Sequence, residues 1–390
     1  MSKKILLISS NSSGRGGGER YLVYLAQGLK QLGCDVHCLL SNASYMDNWA
    51  KLLSEENAIV HRHFLVGLRD RRLRFFQSVL DVKQQGIISE LCQSIKPDGI
   101  LVNQQYDEDG LDYIAGALMA KSAPVAGIIH MPMTANKNDR PLGKLRGGFL
   151  KIWYQSHIYK LIFVSEGSKK EFEDYYNIRN TTTVVNSGFI FSEKFDLDNF
   201  KLDNFKKTDT LQDSIPVIGF IGQFSSQKNL KLLVDSWLKS ISAEHQSYLL
   251  LVGDGEERSV IEKLLNKEAP QGSWHITGWQ DQPEKHLPLI DIFLMTSHFE
   301  GLPLALIEAA GYGIPTVITN FNGATDVAKK ASWVKVASQN DPNIIGQMLQ
   351  EYILNLSTLK QQANNGREEF QQYFSVKRMA EDTINALGLK

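Results

Sequence analysis

The stretch that decides the fold is His298–Thr319, which reads HFEGLPLALIEAAGYGIPTVIT. An apolar run just before it, Ile292–Met295, is typical of a buried strand. Pro303 is suited to the first turn of a helix, so we expect a helix to begin near it. Gly311 and Gly313 are typical of a helix end, and the apolar residues after them predict the next strand. The stretch therefore predicts a strand, a turn, a helix and a second strand, as in a parallel sheet.

Two glutamates of this stretch lie eight residues apart, Glu300 at the predicted turn and Glu308 in the predicted helix. The backbone N–H groups of Gly301, Leu302 and Leu304 lie at the positive end of the helix dipole. Such groups are free to bind an anion, because the first turn of a helix gives them no partner within the helix. The sequence thus predicts a phosphate site with one carboxylate at its mouth and another farther along the helix.

Short apolar runs alternate with amphipathic segments along the whole chain. Strands that alternate with helices indicate parallel sheets covered on both faces. Two such sets predict two Rossmann-like α/β domains, separated by a charged stretch rich in Asp, Asn and Lys. We place the first domain at 1–190, the linker at 191–214 and the second domain at 215–372. The predicted strands are Ile5–Ser9, Val36–Leu40, Ile59–His63, Gly99–Asn103, Val125–Met131, Leu161–Ser165, Val217–Gly222, Tyr248–Gly253, His275–Gly278, Ile292–Ser297, Thr316–Thr319 and Trp333–Val336.

The composition is ordinary for a soluble globular protein, with 390 residues, 43% of them hydrophobic, 22% charged and a net charge of −1. Cys34, Cys38 and Cys92 show no metal-ligand spacing and are odd in number, so a reduced setting is the simplest interpretation. The first residues are too poor in apolar side chains for a signal peptide, and no run reaches the roughly 18 apolar residues of a spanning helix. We therefore expect a cytoplasmic protein.

The spacing of Glu300 and Glu308, with the glycines, the proline and the flanking strands, resembles the E-x7-E motif of glycosyltransferase family 4. Enzymes of this family are retaining and have the GT-B fold, in which two Rossmann-like domains have parallel sheets facing a central cleft. The resemblance implies that residues 373–390 form a terminal helix that crosses back to the first domain. It also implies that Glu300 contacts the donor sugar and that Glu308 holds the ribose hydroxyls of the nucleotide.

The start of the second domain resembles the family segment Gly-Arg-x4-Lys-Gly, whose arginine and lysine bind the donor diphosphate. Lys228 matches the lysine, whereas Gln223 stands where the arginine is usual. A neutral amide donates hydrogen bonds to phosphate but carries no charge, so this departure removes one positive charge from the predicted site. Farther along, Gly278, Trp279 and Gln280 match the segment that lies against the nucleotide base, mostly through its backbone.

A glycine-rich loop, Asn11–Glu19, follows the first strand and opens a helix. It resembles the loop that lines the cleft in GT-B enzymes, which implies that Gly16 and Gly17 face the donor diphosphate. The dinucleotide fingerprint G-x-G-x-x-G fails here, because Glu19 stands at the third glycine position. Asp35 lies near the distance expected for a ribose-binding acid, which leaves an NAD-dependent dehydrogenase open as an alternative.

His130 ends the predicted strand Val125–Met131, and open α/β sheets bind their ligands at the carboxyl ends of their strands. Family 4 enzymes often place a histidine here, which implies a position close to the donor sugar. A structural histidine satisfied by its neighbours is the competing interpretation.

Two D-x-D motifs occur, at Asp107–Asp109 and Asp196–Asp198. Metal-dependent glycosyltransferases of the other major fold hold a divalent cation with such a motif. The second motif lies in the polar linker and the first beside Gly110, so we expect both to be solvated turns. We therefore predict no metal site and no cofactor, and expect Lys228 to supply the cation that the diphosphate needs.

Two stretches, Leu68–Phe76 and Asn136–Lys160, combine Lys and Arg with interleaved aromatic residues. Two interpretations stay open, namely peripheral contact with an anionic membrane or lipid-linked acceptor, and ordinary solvated helix faces. Nucleic acid is not expected as a partner, because no binding motif accompanies the charge.

These observations predict a retaining, hexosyl-type glycosyltransferase that moves a sugar from a nucleoside diphosphate sugar to a hydroxyl acceptor, in cell-surface polysaccharide or glycolipid synthesis. The predicted catalytic residues are His130, Lys228 and Glu300. A non-catalytic sugar-nucleotide-binding protein of the same fold stays open, because Gln223 replaces the family arginine. The predicted donor-binding residues are Gly16, Gly17, Gln223, Lys228, Gly278, Trp279, Gln280, Glu300, Gly301, Leu302, Leu304 and Glu308.

Overall fold

The computed structural model describes residues 2–10, 16–67, 79–133, 143–157, 159–191, 215–241 and 246–389. The chain divides into two compact units. Unit 1 contains Met1–Ile190 and Phe374–Lys390, and unit 2 contains Phe191–Tyr373. The chain thus leaves unit 1 once and returns to it near its end. Apart from Phe191, the predicted linker lies outside the described residues.

Unit 1 is built on a seven-stranded sheet. Its strands are β1 Lys4–Ser9, β2 Asp35–Ser41, β3 Ile59–His63, β4 Gly99–Tyr106, β5 Val125–Met131, β6 Lys160–Phe163 and β7 Thr182–Val184. Their order is β3-β2-β1-β4-β5-β6-β7, and every neighbouring pair is parallel. The sequence predicted the first six strands and missed β7, a half-buried three-residue strand at the edge of the sheet. The direction in which strands are added reverses between β1 and β4.

Helices connect these strands. They are α1 Gly17–Gln31, α2 Asp47–Glu55, α3 Val82–Ile95, α4 Leu111–Ala120, α5 Gly143–Ser156 and α6 Glu166–Tyr176. The inner strand β1 is buried from Ile5 onward, as expected for a parallel sheet covered on both faces. Aromatic side chains of the later helices, including Trp153, Phe172 and Tyr176, join the same core.

Unit 2 is built on a six-stranded sheet, all of whose neighbouring pairs are parallel. Its strands are β8 Val217–Ile221, β9 Tyr248–Val252, β10 Trp274–Ile276, β11 Ile292–Met295, β12 Thr316–Ile318 and β13 Val334–Val336. The order is β10-β9-β8-β11-β12-β13, so the reversal falls between β8 and β11. The sequence predicted all six strands, and the fold class of two Rossmann-like α/β domains is confirmed.

The helices of unit 2 are α7 Leu230–Ser240, α8 Arg258–Glu268, α9 Leu304–Gly311, α10 Ala324–Ala328, α11 Pro342–Leu354 and α12 Leu356–Tyr373. A last helix, α13 Val376–Ala386, belongs to unit 1 and packs on α1. The carbonyl group of Val376 occupies the space that a side chain on Gly28 would need. Glycine at that position therefore allows the returning chain to approach α1 closely. Among the described helices, none combines the length and apolar character needed to cross a membrane.

Candidate functional site

The reversal of strand order in unit 2 brings together two segments that the sequence analysis singled out. The loop after β8 carries Gln223 and Lys228, and the loop after β11 carries Glu300. The backbone N–H of His298 donates to the carbonyl of Gln227 at 2.8 Å, which ties the two loops to each other. Open α/β sheets bind ligands at the carboxyl ends of strands where the order reverses. The predicted phosphate-binding residues therefore meet at the place that the topology favours.

Lys228 and Glu300 form an ion pair, with Lys228 Nζ at 2.5 Å from Glu300 Oε1. Their side chains are only 16% and 7% exposed. Removing two charges from water is costly, so each group depends on the other for compensation. The sequence predicted both residues, but it gave no sign that they contact each other.

The predicted helix of the E-x7-E stretch is present as α9. Pro303 occupies the N-cap position in an extended conformation, so it lies one position before the predicted first turn. Glu308 is buried in the middle of the helix. The turn at Gly301 and Leu302 packs against Gly323, where a side chain would collide with both residues. The turn that carries the predicted anion-binding N–H groups thus packs against Gly323, and the residue His298 before it is bonded to Gln227 of the loop after β8.

The predicted base-binding segment lies at the carboxyl end of β10. Gly278 has a φ of +75°, a conformation that favours glycine, and it forms a backbone bridge with Gly253 after β9. Trp279 is exposed, and its indole Nε1 donates to Asp281 Oδ1 at 3.1 Å. Gln280 folds back toward the carbonyl of Thr277. Its contact with a base stays a prediction.

In unit 1 the reversal between β1 and β4 lies next to His130, which is buried near the end of β5. His130 Nε2 is 2.7 Å from Oδ1 of Asn103 on β4. Asn103 Nδ2 donates to the carbonyl of Gly18, in the first turn of α1, at 3.1 Å. Burial lowers the pKa of His130 to about 4, so the imidazole is neutral at pH 7. Asn103 was not predicted as a site residue, although it is also a polar residue near the carboxyl end of an apolar strand.

The glycine-rich loop is described only from Gly16 onward, so its residues 11–15 lie outside the described residues. Gly16 and Gly17 are exposed, and a side chain on Gly17 would meet nothing within 4 Å. A Cβ on Gly18 would instead lie 2.6 Å from Gln105 Oε1. A side chain at Gly18 would therefore require the flexible Gln105 side chain to shift, while the predicted diphosphate contact of Gly16 and Gly17 stays a prediction.

The prediction that Asp107–Asp109 is a solvated turn is wrong, because all three side chains are buried. Asp107 accepts hydrogen bonds from the Tyr176 hydroxyl at 2.5 Å and from the Met133 backbone N–H at 2.9 Å. Burial raises the pKa of Asp107 to about 6. The short charged motif looked solvated because its partners are distant in the sequence and could not be identified from it. The second motif, Asp196–Asp198, lies outside the described residues.

The other two carboxylates of this turn also have partners inside unit 1. Glu108 pairs with Arg146 of α5, and Asp109 accepts a hydrogen bond from the Ser10 hydroxyl at 2.5 Å. The turn thus connects the end of β4 to the end of β1 and to two later helices. Among the described residues, no group of three or more His, Cys, Asp or Glu side chains is arranged to hold a metal ion.

The basic and aromatic stretch on α5 divides into two faces. Arg146 is engaged by Glu108, and the rings of Trp153 and Tyr154 are buried in the core, so these residues do not form a surface patch. Leu145, Phe149 and Ile152 are exposed at 70%, 41% and 67%. The other stretch, Leu68–Phe76, lies outside the described residues.

Two family models match the chain. The model described as Glycosyltransferase Family 4 matches residues 15–190, and the model described as Glycosyl transferases group 1 matches residues 203–369. The lipopolysaccharide core biosynthesis glycosyltransferase LpsE of Rhizobium meliloti is 26% identical over 184 residues, which are 47% of this chain and 53% of LpsE. The capsular polysaccharide biosynthesis glycosyltransferase CapM of Staphylococcus aureus is 27% identical over 204 residues, 50% of this chain and 52% of CapM. The chain therefore spans about half the length of these relatives.

The fold is also similar to solved structures. The crystal structure of Anabaena HepE in complex with UDP superposes with a TM-score of 0.76 at 16% identity and covers 99% of both chains. HepE in complex with UDP-glucose superposes with a TM-score of 0.74 at 17% identity, again over 99% of both chains. At such low identity the similarity establishes the fold alone. With the two family matches and this architecture, the chain belongs to glycosyltransferase family 4 and has the GT-B fold.

Proposed function

We propose that this chain is a retaining glycosyltransferase that transfers a hexosyl group from a nucleoside diphosphate sugar to a hydroxyl acceptor. The observation that carries the proposal is the Lys228–Glu300 pair at the strand-order reversal, directly before the helix that buries Glu308. A sugar nucleotide presents a diphosphate, a hexose and a ribose. A cation and two carboxylates match these three groups, because cations bind phosphate and carboxylates accept hydrogen bonds from sugar hydroxyls.

The proposed reaction breaks the bond between the anomeric carbon and the oxygen of the β-phosphate, and the electron pair stays on the phosphate. The acceptor oxygen bonds to the anomeric carbon on the same face, and its proton passes to the departing phosphate oxygen. Lys228 stabilises the negative charge that grows on the leaving diphosphate. Glu300 orients the sugar hydroxyls, and neutral His130 hydrogen-bonds to the sugar. The proposal requires no metal ion or cofactor.

The ion pair explains how Lys228 is positioned before the donor binds. An ammonium group has three N–H donors, and the contact with Glu300 Oε1 occupies one of them. The remaining donors are available to phosphate oxygens without loss of that contact. Because the long lysine side chain is already ordered, less conformational entropy is lost when the diphosphate binds.

The donor class is proposed from the relatives and structural neighbours. HepE has been solved with UDP and with UDP-glucose, so UDP-hexoses are the first donors to test. LpsE and CapM are named for lipopolysaccharide core and capsular polysaccharide biosynthesis. We therefore place the proposed activity in the synthesis of cell-surface polysaccharide or glycolipid.

A lipid-linked acceptor would bring the protein to a membrane surface, and α5 offers a suitable face. Leu145, Phe149 and Ile152 follow the i, i+4, i+7 spacing of one helix face, with the exposed Lys144 beside them. We propose that this face rests peripherally on anionic lipid. Replacing Leu145 and Ile152 by serine should reduce binding to vesicles that contain phosphatidylglycerol, whereas replacing exposed Leu354 of unit 2 should not. Equal vesicle binding by all variants would exclude this face as the contact.

The two glutamates test the proposed transferase directly. Glu308→Gln should weaken binding of free UDP by about 1.5–3 kcal/mol, because hydrogen bonds from the ribose to a charged group are lost. Glu300→Gln keeps an oxygen that accepts the hydrogen bond from Lys228, so it should bind UDP nearly like wild type. It should turn over the full donor more slowly, because the sugar contact, which UDP lacks, is changed. Calorimetry with UDP, beside turnover of UDP-hexoses, measures both effects. Glu368→Gln, which changes an exposed glutamate of α12, is the matched control.

The outcomes separate the alternatives. Binding of UDP-hexose without release of UDP in the presence of acceptors would favour a non-catalytic sugar-nucleotide-binding protein. If neither glutamate variant changed binding or turnover, the E-x7-E interpretation would be wrong. Loss of UDP binding in Glu300→Gln with none in Glu308→Gln would reverse the two assigned roles.

A further inference from the structure

The side-chain amide of Asn103 has a fixed orientation. Its Nδ2 lies 3.1 Å from the carbonyl oxygen of Gly18, and its Oδ1 lies 2.7 Å from His130 Nε2. A backbone carbonyl can only accept a hydrogen bond, so the NH₂ group of the amide must face Gly18. The amide oxygen therefore faces the histidine, and this oxygen can only accept.

The orientation of the amide determines the tautomer of the histidine. Because Asn103 Oδ1 only accepts, the proton of the neutral imidazole lies on Nε2 of His130. The other ring nitrogen, Nδ1, then carries a lone pair and no proton. Among the described residues, the ring makes this one side-chain hydrogen bond. Burial keeps the ring neutral at physiological pH, since it lowers the pKa to about 4.

The first turns of α1 hold the same ring from a second side. The ring of Tyr21 packs edge-on against His130, with centroids 4.7 Å apart and planes at 85°. Tyr21 lies three residues after Gly18, so one helix supplies both the carbonyl that orients Asn103 and the ring that packs on His130. The ring plane and the tautomer of His130 are therefore set by separate contacts from α1.

We propose that Asn103 is a positioning residue that holds His130 as the Nε2–H tautomer and so presents Nδ1 as a hydrogen-bond acceptor for a hydroxyl group of the transferred sugar. The tautomer follows from contacts within unit 1, and the last step alone rests on the proposed function. Asn103 acts through His130 and needs no contact with the sugar. A lone pair at Nδ1 accepts a hydroxyl proton, whereas the other tautomer would present an N–H to the same hydroxyl.

Nitrogen-15 NMR of histidine side chains in the free, full-length protein tests the tautomer without any substrate. The His130 signals are assigned by their absence in His130→Gln. Wild type should show the Nε2–H tautomer, and Asn103→Leu should show a mixture of tautomers. Gln105→Leu is the matched control, because Gln105 lies on the same strand near Gly18 and is not bonded to His130. In this variant His130 should have the same tautomer as in wild type. If Asn103→Leu fails to fold, the wild-type spectrum still decides, because an Nδ1–H tautomer there overturns the proposal by itself.

Turnover of UDP-hexose supplies the second measurement. Asn103→Leu should lower kcat by about 10- to 100-fold, the scale of one hydrogen bond lost in the transition state, with UDP affinity unchanged. An Nδ1–H tautomer in wild type, or an unchanged tautomer in Asn103→Leu, would overturn the proposal. A changed tautomer with unchanged kcat would overturn the role of Nδ1. If wild type itself transfers no sugar, the proposed function fails, while the NMR result on the tautomer still stands.

Discussion

Each unit of this protein has a nearly buried ion pair next to the reversal of its sheet. Arg146 and Glu108 in unit 1 have side chains that are 14% and 5% exposed. Lys228 and Glu300 in unit 2 are 16% and 7% exposed. Burial, charge and place in the topology are therefore nearly the same for both pairs, and none of these properties separates a structural pair from a ligand-binding one.

The neighbours of the two pairs differ. On either side of Glu108, Asp107 and Asp109 are bound to other parts of unit 1, so the whole turn is used to join strands and helices. Glu300 instead precedes a helix N-terminus that is suited to an anion. The cation also differs, because the arginine guanidinium is a rigid planar donor and the lysine ammonium is a compact charge that can share its donors. We infer that the first pair stabilises the fold and the second binds ligand.

The largest expected effect is on the pair in unit 1. Glu108→Ala should lower the free energy of unfolding of unit 1 by about 3–5 kcal/mol, because it removes the Glu108 carboxylate from a nearly buried Arg146 cation. Hydrogen exchange of unit 1 amides measures this change separately from unit 2. UDP affinity of the folded protein should stay unchanged. A loss below about 1 kcal/mol, the range of exposed pairs, would show that the Arg146–Glu108 pair does not stabilise the fold.

The neighbouring Asp107 makes the stability of unit 1 depend on pH. Its pKa in the folded protein is about 6, above the unfolded value of 3.8. Its stabilising contribution is therefore fully present below pH 3.8 and is lost as the pH rises through about 6. Asp107→Asn should be destabilising at pH 4, and its deficit relative to wild type should shrink by up to about 3 kcal/mol by pH 7. A deficit that is constant from pH 4 to pH 7, measured by urea unfolding, would contradict this assignment.

Substitution in the Lys228–Glu300 pair of unit 2 should change the affinity for UDP. Lys228→Ala should weaken UDP binding by about 1.5–3 kcal/mol, the contribution of a hydrogen bond to a charged group. Lys231→Ala is the control, since Lys231 lies on the adjacent helix and is 71% exposed. Calorimetry with UDP measures the difference between the two variants. Unchanged affinity in Lys228→Ala would make this pair structural as well.

The smallest expected effect is at Gln223, which is exposed and lies in the same loop after β8 as Lys228. Gln223→Arg restores the charge that is usual in the family. It should leave UDP affinity unchanged or tighten it by less than about 1 kcal/mol, because an exposed charge is screened by solvent. UDP titrations at low and high salt test this, and the gain should disappear at high salt. A large loss of affinity would show that Gln223 has a role of its own.

The sequence predicted the parallel sheets and the E-x7-E helix because these depend on local patterns. Apolar runs such as Ile292–Met295 indicate strands, and glycines near Gly311 mark a helix end. The bonds of Asn103 and of Asp107 could not be predicted in the same way, because their partners are 27 to 85 residues away in the first case and 26 to 69 in the second. An isolated D-x-D carries no information about such partners. The sequence thus placed candidate residues at the ends of predicted strands, but only the fold shows the two reversals of strand order and which polar residues are paired there.

The return of the chain to unit 1 has a consequence for protein synthesis. Helix α13 is translated after every residue of unit 2, and it packs on α1, one of the first helices to leave the ribosome. Unit 2 is contiguous in sequence and can therefore complete its fold while unit 1 still lacks a helix. Until residues 374–390 emerge, the face of α1 around Gly28 has no partner from this helix, so the nascent chain exposes apolar surface there that a chaperone could cover.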